Sequence, residues 1–135
     1  MNKVLEPKGH ANPGSRFAPG MEVPPDCRWC FISGQVGLDC DGNIPDDIDR
    51  QIHVAFDNVF AILAEADMSV ADVVRLNIYL TDAGDVAAYR RIRDERMEGR
   101  LTASTLVVVS ALVDPRMRVE IEAVAAEMSS PGRAA

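Results

Sequence analysis

The strongest periodicity runs from Ile48 to Ala66, where Ile48, Ile52, Ala55, Phe56, Val59, Ile62, Leu63 and Ala66 recur at spacings of three and four. That is the apolar stripe of an amphipathic helix. Asp46 and Asp47 stand before it as N-cap residues whose charge suits a helix start. A second helix is expected from Val86 to about Glu98, closed by Gly99. Elsewhere the period is two. Val119, Ile121, Ala123 and Ala125 alternate with Arg118, Glu120 and Glu122, so two carboxylates share one face of a strand. The run from Ser104 to Leu112 is β-branched and almost unbroken, which predicts a strand covered on both faces. Asp114-Pro115 separates these two strands with a turn. Trp29 to Val36 is a further strand, with Gly34 marking a bulge or a close approach to the backbone. Val70 to Thr81 ends in another, and Phe17 to Val23 is a short edge strand. Met1 to Ser15 has little periodicity and is expected to be a loose lead-in. The order is strand, strand, helix, strand, helix, strand, strand. Helices between strands favour crossovers that pack both on one sheet face, so the prediction is a two-layer α+β sandwich.

Composition narrows this picture. A chain of 135 residues is one domain, residues 1–135. A net charge of -7 argues against nucleic acid as a partner, because phosphate binding wants a basic surface. No run approaches the ~20 apolar residues that span a bilayer, so no membrane partner is expected. The N-terminal segment lacks the apolar core of a signal peptide. The expected compartment is therefore the cytoplasm.

Two clusters could carry chemistry. Cys27-Arg-Trp-Cys30 has metal-site spacing, but it opens a strand and no second pair follows, so the cysteines read as structural thiols. Neither a metal nor a cofactor is expected. The second helix crowds Arg90, Arg91, Arg93, Arg96 and Arg100 together with Asp94, Glu95 and Glu98. Such helices usually present solvated faces with i,i+4 ion pairs. Arg93 and Arg96 nevertheless fall within the arc of Val86, Tyr89, Ile92 and Met97. Their stems can pack while their heads reach an anionic ligand or a partner subunit.

Phe31-Ile-Ser-Gly-Gln-Val-Gly-Leu, Asp72-Val-Val-Arg-Leu-Asn-Ile-Tyr-Leu-Thr-Asp and Val119-Glu-Ile-Glu-Ala-Val-Ala together resemble the Rid (YjgF-like) proteins, the reactive intermediate deaminases. The resemblance spans about Ser15 to Glu127. It implies a chorismate-mutase-like ββαβαββ sandwich with a mixed sheet, assembled as a homotrimer with small-molecule clefts between subunits. It also implies hydrolysis of 2-imino acids to 2-oxo acids and ammonia. In that scheme an arginine of the penultimate strand grips the substrate carboxylate and a final-strand glutamate positions the water. Gly34 matches the glycine whose backbone supports the site, Glu120 the water-positioning glutamate, and Glu122 the second acid of that strand. Phe17 stands where the family carries a tyrosine.

The family's Pro-Ala-Arg-Ser is here Thr102-Ala-Ser-Thr, so Ser104 replaces the substrate-binding arginine. Serine offers one neutral hydrogen bond and no charged fork. Arg93, Arg96 and Arg100 are the candidates to supply the missing cation. Three readings follow. The first is hydrolysis of an imine, enamine or related adduct, with Glu120 holding water and Gly34, Ser104, Phe17, Arg93 and Arg96 binding the substrate. The second is a non-catalytic module that binds a metabolite or a protein. The third, an endoribonuclease, is disfavoured by the charge and by the lack of an aromatic-basic platform.

Overall fold

Burial along the long helix follows its stripe. In the computed structural model, which describes residues 1–11 and 15–129, α1 spans Ile48–Glu65. Ile52, Ala55, Phe56 and Val59 are completely buried on it. Asp47 takes the N-cap position with extended backbone, although its side chain makes no capping hydrogen bond. Four residues on, the buried polar Gln51 anchors the helix start. Its amide donates to the carbonyls of Pro45 and Arg116 and accepts from the Arg118 N–H.

The strands in chain order are β1 (Lys3–Leu5), β2 (Gly20–Glu22), β3 (Cys27–Val36), β4 (Val73–Leu80), β5 (Ala103–Val108) and β6 (Val119–Met128). The second helix, α2, spans Val86–Arg96. β3, β6, β4 and β5 form one four-stranded sheet in that order. β6 is antiparallel to both of its neighbours, whereas β4 and β5 run parallel across the α2 crossover. The sheet is therefore mixed, with α1 and α2 packed on one face, as the sequence pattern requires. β4 and β6 send Leu76, Ile78, Leu80, Val119, Ile121 and Ala125 into this layer, where Phe56, Tyr89 and Ile92 meet them.

Two expectations change. Within the supposed loose lead-in, Lys3–Leu5 pairs with β2 as a separate two-stranded ribbon. Residues 12–14 of the lead-in and residues 130–135 of the domain lie outside the described residues. The apolar run from Ser104 is not covered on both faces, since β5 is the sheet edge and leaves Val107 41% and Val108 47% exposed. One face of β5 lies towards the helices, and nothing among the described residues covers the other. The two thiols of the Cys-Arg-Trp-Cys segment are unpaired, on strand positions opposite Met128 and Ala125.

Candidate functional site

The sheet sorts the chemically interesting residues onto its two faces. On the helix-free face, Glu120 lies in register with Val36 of β3 on one side and Tyr79 of β4 on the other. The β3 register shifts between Ile32 and Gln35, so Gly34 falls in a bulge beside Glu120. A β-carbon placed on Gly34 would overlap the Glu120 carboxylate. Glycine is what lets the acid lie flat against this strand. The carboxylate has no hydrogen-bond or ion-pair partner among the described residues.

Glu122, two residues on, is already committed. Its Oε1 accepts from Asn77 Nδ2 at 3.0 Å and from Tyr79 Oη at 2.8 Å. That hydrogen bond, with partial desolvation behind it, raises the Tyr79 pKa above the usual phenol range. Glu120 is thus the carboxylate of the pair without a hydrogen-bond or ion-pair partner among the described residues. Arg75 lies on the same face and donates to Thr105 Oγ1 at 2.9 Å.

The helix-side cleft is built differently. Ser104 sits in register with the buried Leu76, so its side chain faces α2. The segment before β2 runs along the β5 edge: Ala18 bridges Ala103 in parallel and donates to the Thr102 carbonyl at 2.9 Å. This brings Phe17 beside Ser104. Phe17, Ser104 and Leu106 of this edge, with Tyr89, Arg90 and Arg93 of α2, line a cleft of about 190 Å³. Arg93 is 6% exposed, with its guanidinium 5.9 Å from the Tyr89 ring centroid. It donates through Nε and Nη2 to Asp94 Oδ1 and through Nη1 to Ser15 Oγ at 3.2 Å.

Three of the expected ligand residues, Phe17, Ser104 and Arg93, therefore share one cleft. Gly34 and Glu120 share another surface, on the opposite side of the same sheet. Arg96 joins neither. It donates to the His53 carbonyl, contacts His53 Nδ1 at 3.0 Å, pairs with Asp57 and lies over the Phe60 ring. Arg96 ties α2 to α1 and is spent there. Arg100 lines a separate cleft of about 680 Å³ beside Asn2, Val70 and Glu127. Sequence reading missed Arg90, because a solvated helix face explains an exposed arginine equally well. It also missed the Tyr89 hydroxyl, because its position in the apolar arc marks the ring and not the oxygen.

Trp29 and Phe31 of β3 are 51% and 75% exposed and stack on each other, with ring centroids 6.1 Å apart. An aromatic platform therefore exists on the helix-free face. Its basic half is limited to Arg75, with Glu120 and Glu122 on the same face. Among the described residues, no cluster of three His, Cys, Asp or Glu side chains could hold a metal ion, and no helix is long and apolar enough to cross a membrane.

Comparison with known proteins agrees with this architecture. The family profile described as endoribonuclease L-PSP matches residues 14–127. TdcF of Escherichia coli (strain K12), provisionally named a reactive intermediate deaminase, is 29% identical over 131 residues, covering 93% of this chain and 97% of that protein. Protein DfrA of Myxococcus xanthus is 37% identical over 101 residues, covering 73% of this chain and 76% of that one. Among solved structures, the Rid-family protein YyfB of Yersinia pestis, itself of unknown function, superposes with a TM-score of 0.83 at 28% identity. It covers 92% of this chain and 97% of that one. With the profile spanning most of the chain and the fold in agreement, the chain belongs to the Rid, or YjgF-like, family that the endoribonuclease L-PSP profile describes.

Proposed function

We propose that the chain is a Rid-type hydrolase of small imines or enamines, acting as a homotrimer whose clefts lie between subunits in the cytoplasm. The observation that carries this reading is the Gly34–Glu120 arrangement, a carboxylate seated over a glycine with no partner among the described residues. Glu120 holds a water and directs it at the imine carbon. The water oxygen bonds to that carbon, and a proton passes through the carboxylate to the nitrogen. Collapse of the carbinolamine passes its hydroxyl proton to the nitrogen and breaks the C–N bond, leaving a 2-oxo acid and ammonia.

Substrate binding falls to the other cleft. Ser104 supplies a neutral hydrogen bond, the Phe17 ring an apolar wall, and Arg93 the guanidinium that the family keeps on the penultimate strand. Because Ser104 and Glu120 lie on opposite faces of one sheet, a working site takes the binding half from one copy and the water half from its neighbour. The exposed Trp29, Phe31 and Val107 give the subunits an apolar surface to share.

The same separation favours a second reading. A chain whose two halves never meet would bind metabolites without turning them over. The experiment is ammonia release from 2-imino acids generated in situ by an amino-acid oxidase, with wild type, Glu120→Ala and Ser104→Arg compared. Wild-type acceleration that falls about a hundredfold or more in Glu120→Ala is expected, the usual scale for a positioned acid–base group. An unchanged rate in Glu120→Ala overturns the assignment. An inactive wild type alongside an active Ser104→Arg leaves the binding module in its place. An endoribonuclease activity finds little support in a chain of net charge -7.

A further inference from the structure

The α2 wall of the Ser104 cleft holds more hydrogen-bond donors than one carboxylate needs. Tyr89 is 0% exposed, and its hydroxyl is buried with no hydrogen-bond partner among the described residues. A buried hydroxyl without a partner is costly and calls for an explanation. Burial also raises the Tyr89 pKa far above the ordinary phenol value, so the group keeps its proton and can donate. Arg90, one residue on, is exposed at the same cleft and makes no hydrogen bond or ion pair among the described residues. Arg93 supplies a second guanidinium, steadied by Asp94. Among the described residues no carboxylate lines the cleft. In a chain of net charge -7 this is a local reversal of sign.

We infer that this cleft takes a small dianion, a short-chain dicarboxylate: Arg93 and Ser104 hold one carboxylate, and Arg90 with the Tyr89 hydroxyl holds the second acidic group. The inference rests on the reading of this cleft as the ligand site and names its substrate class. In the proposed reaction, the preferred substrates are then 2-imino acids with an acidic side chain. The volume of about 190 Å³ suits such a ligand, being equivalent to about six waters at the liquid's ~30 Å³ each. Phe17 and Leu106 would pack against its short methylene chain. Arg90 is solvent-facing, so the preference weakens as salt is added.

Calorimetric titration of the full chain with glutarate and with pentanoate tests this. The two probes share a carbon count and differ in one carboxylate. Glutarate is expected to bind about tenfold more tightly or better, the ratio that one added charge-assisted contact gives. Arg90→Gln should erase that difference. Tyr89→Phe separates a ligand role from a packing role. Losing an unsatisfied buried hydroxyl should leave thermal stability equal or higher, while glutarate binding weakens. Equal affinity for the two probes, no binding of either, or an Arg90→Gln variant that keeps the preference overturns the inference. Turnover is read separately. Imine hydrolysis without glutarate preference sinks this inference alone, and glutarate preference without hydrolysis sinks the hydrolase reading alone.

Discussion

Gly34 and Glu120 lie so close on adjacent strands that a methyl group on the first would displace the carboxylate of the second. Gly34→Ala is accordingly expected to cost about 1–3 kcal/mol, the range for forcing an extra group into a packed site. The proposed hydrolysis should fall roughly ten- to a hundredfold, because a 1 Å misplacement of a catalytic group is enough for that. Thermal denaturation and ammonia release measure the two effects, and Glu120→Ala in the same chain should relieve the stability cost. A Gly34→Ala protein with a native rate would reduce the glycine to a bulge residue. A glycine inside an apolar strand already signals a bulge or a close approach, and here it serves as both. The Tyr89 hydroxyl gave no such signal. Periodicity reports which side of a helix is apolar, whereas an unmatched oxygen appears only when every neighbouring group is in place.

Cross-helix contacts explain two of the four arginines on α2. Arg91 pairs with Asp49 at 2.8 Å, and Arg96 pairs with Asp57 while lying over the Phe60 ring. These partners lie on α1, about forty residues away, and not at the i,i+4 positions that a helix read by itself suggests. Both helices were legible from their own stripes, but the seam between them was not, because its ion pairs depend on how the two stripes dock. Arg96→Ala removes the hydrogen bonds to His53, the Asp57 pair and the Phe60 contact together. A loss of about 1–2 kcal/mol is expected, since Arg96 is mostly covered and its stem packs as well as pairs. Denaturant unfolding measures it. Glutarate affinity should be unaffected, and a weakened affinity would return Arg96 to the ligand site. β5 was misjudged for a related reason. An unbroken Val run looks the same on a central strand as on an edge strand.

At the scale of the molecule, the proposed reaction asks a cleft on one sheet face to serve a carboxylate on the other. Family motifs pointed to Ser104 and Glu120, and alternation along the last strand marked the face of Glu120, but the face of Ser104 follows from the β4–β5 register across a helical crossover, which no local pattern encodes. Trans assembly has a sharp consequence. Arg93→Ala copies keep Glu120, Glu120→Ala copies keep the binding cleft, and each assembly alone is expected to be inactive. Mixed by denaturation and refolding at equal ratio, they place an intact cleft beside an intact Glu120 at about a quarter of the interfaces of a cyclic assembly. About a quarter of the wild-type rate should therefore return, following the mixing ratio and disappearing if either variant is left out. Phe31→Lys in both copies, which puts a charge on the exposed aromatic stack, should abolish assembly by light scattering and the recovered rate with it. Recovery that never rises above the two parents would mean that the two halves do not meet between subunits. The hydrolase reading would fall with it, because within one chain the sheet stands between Ser104 and Glu120.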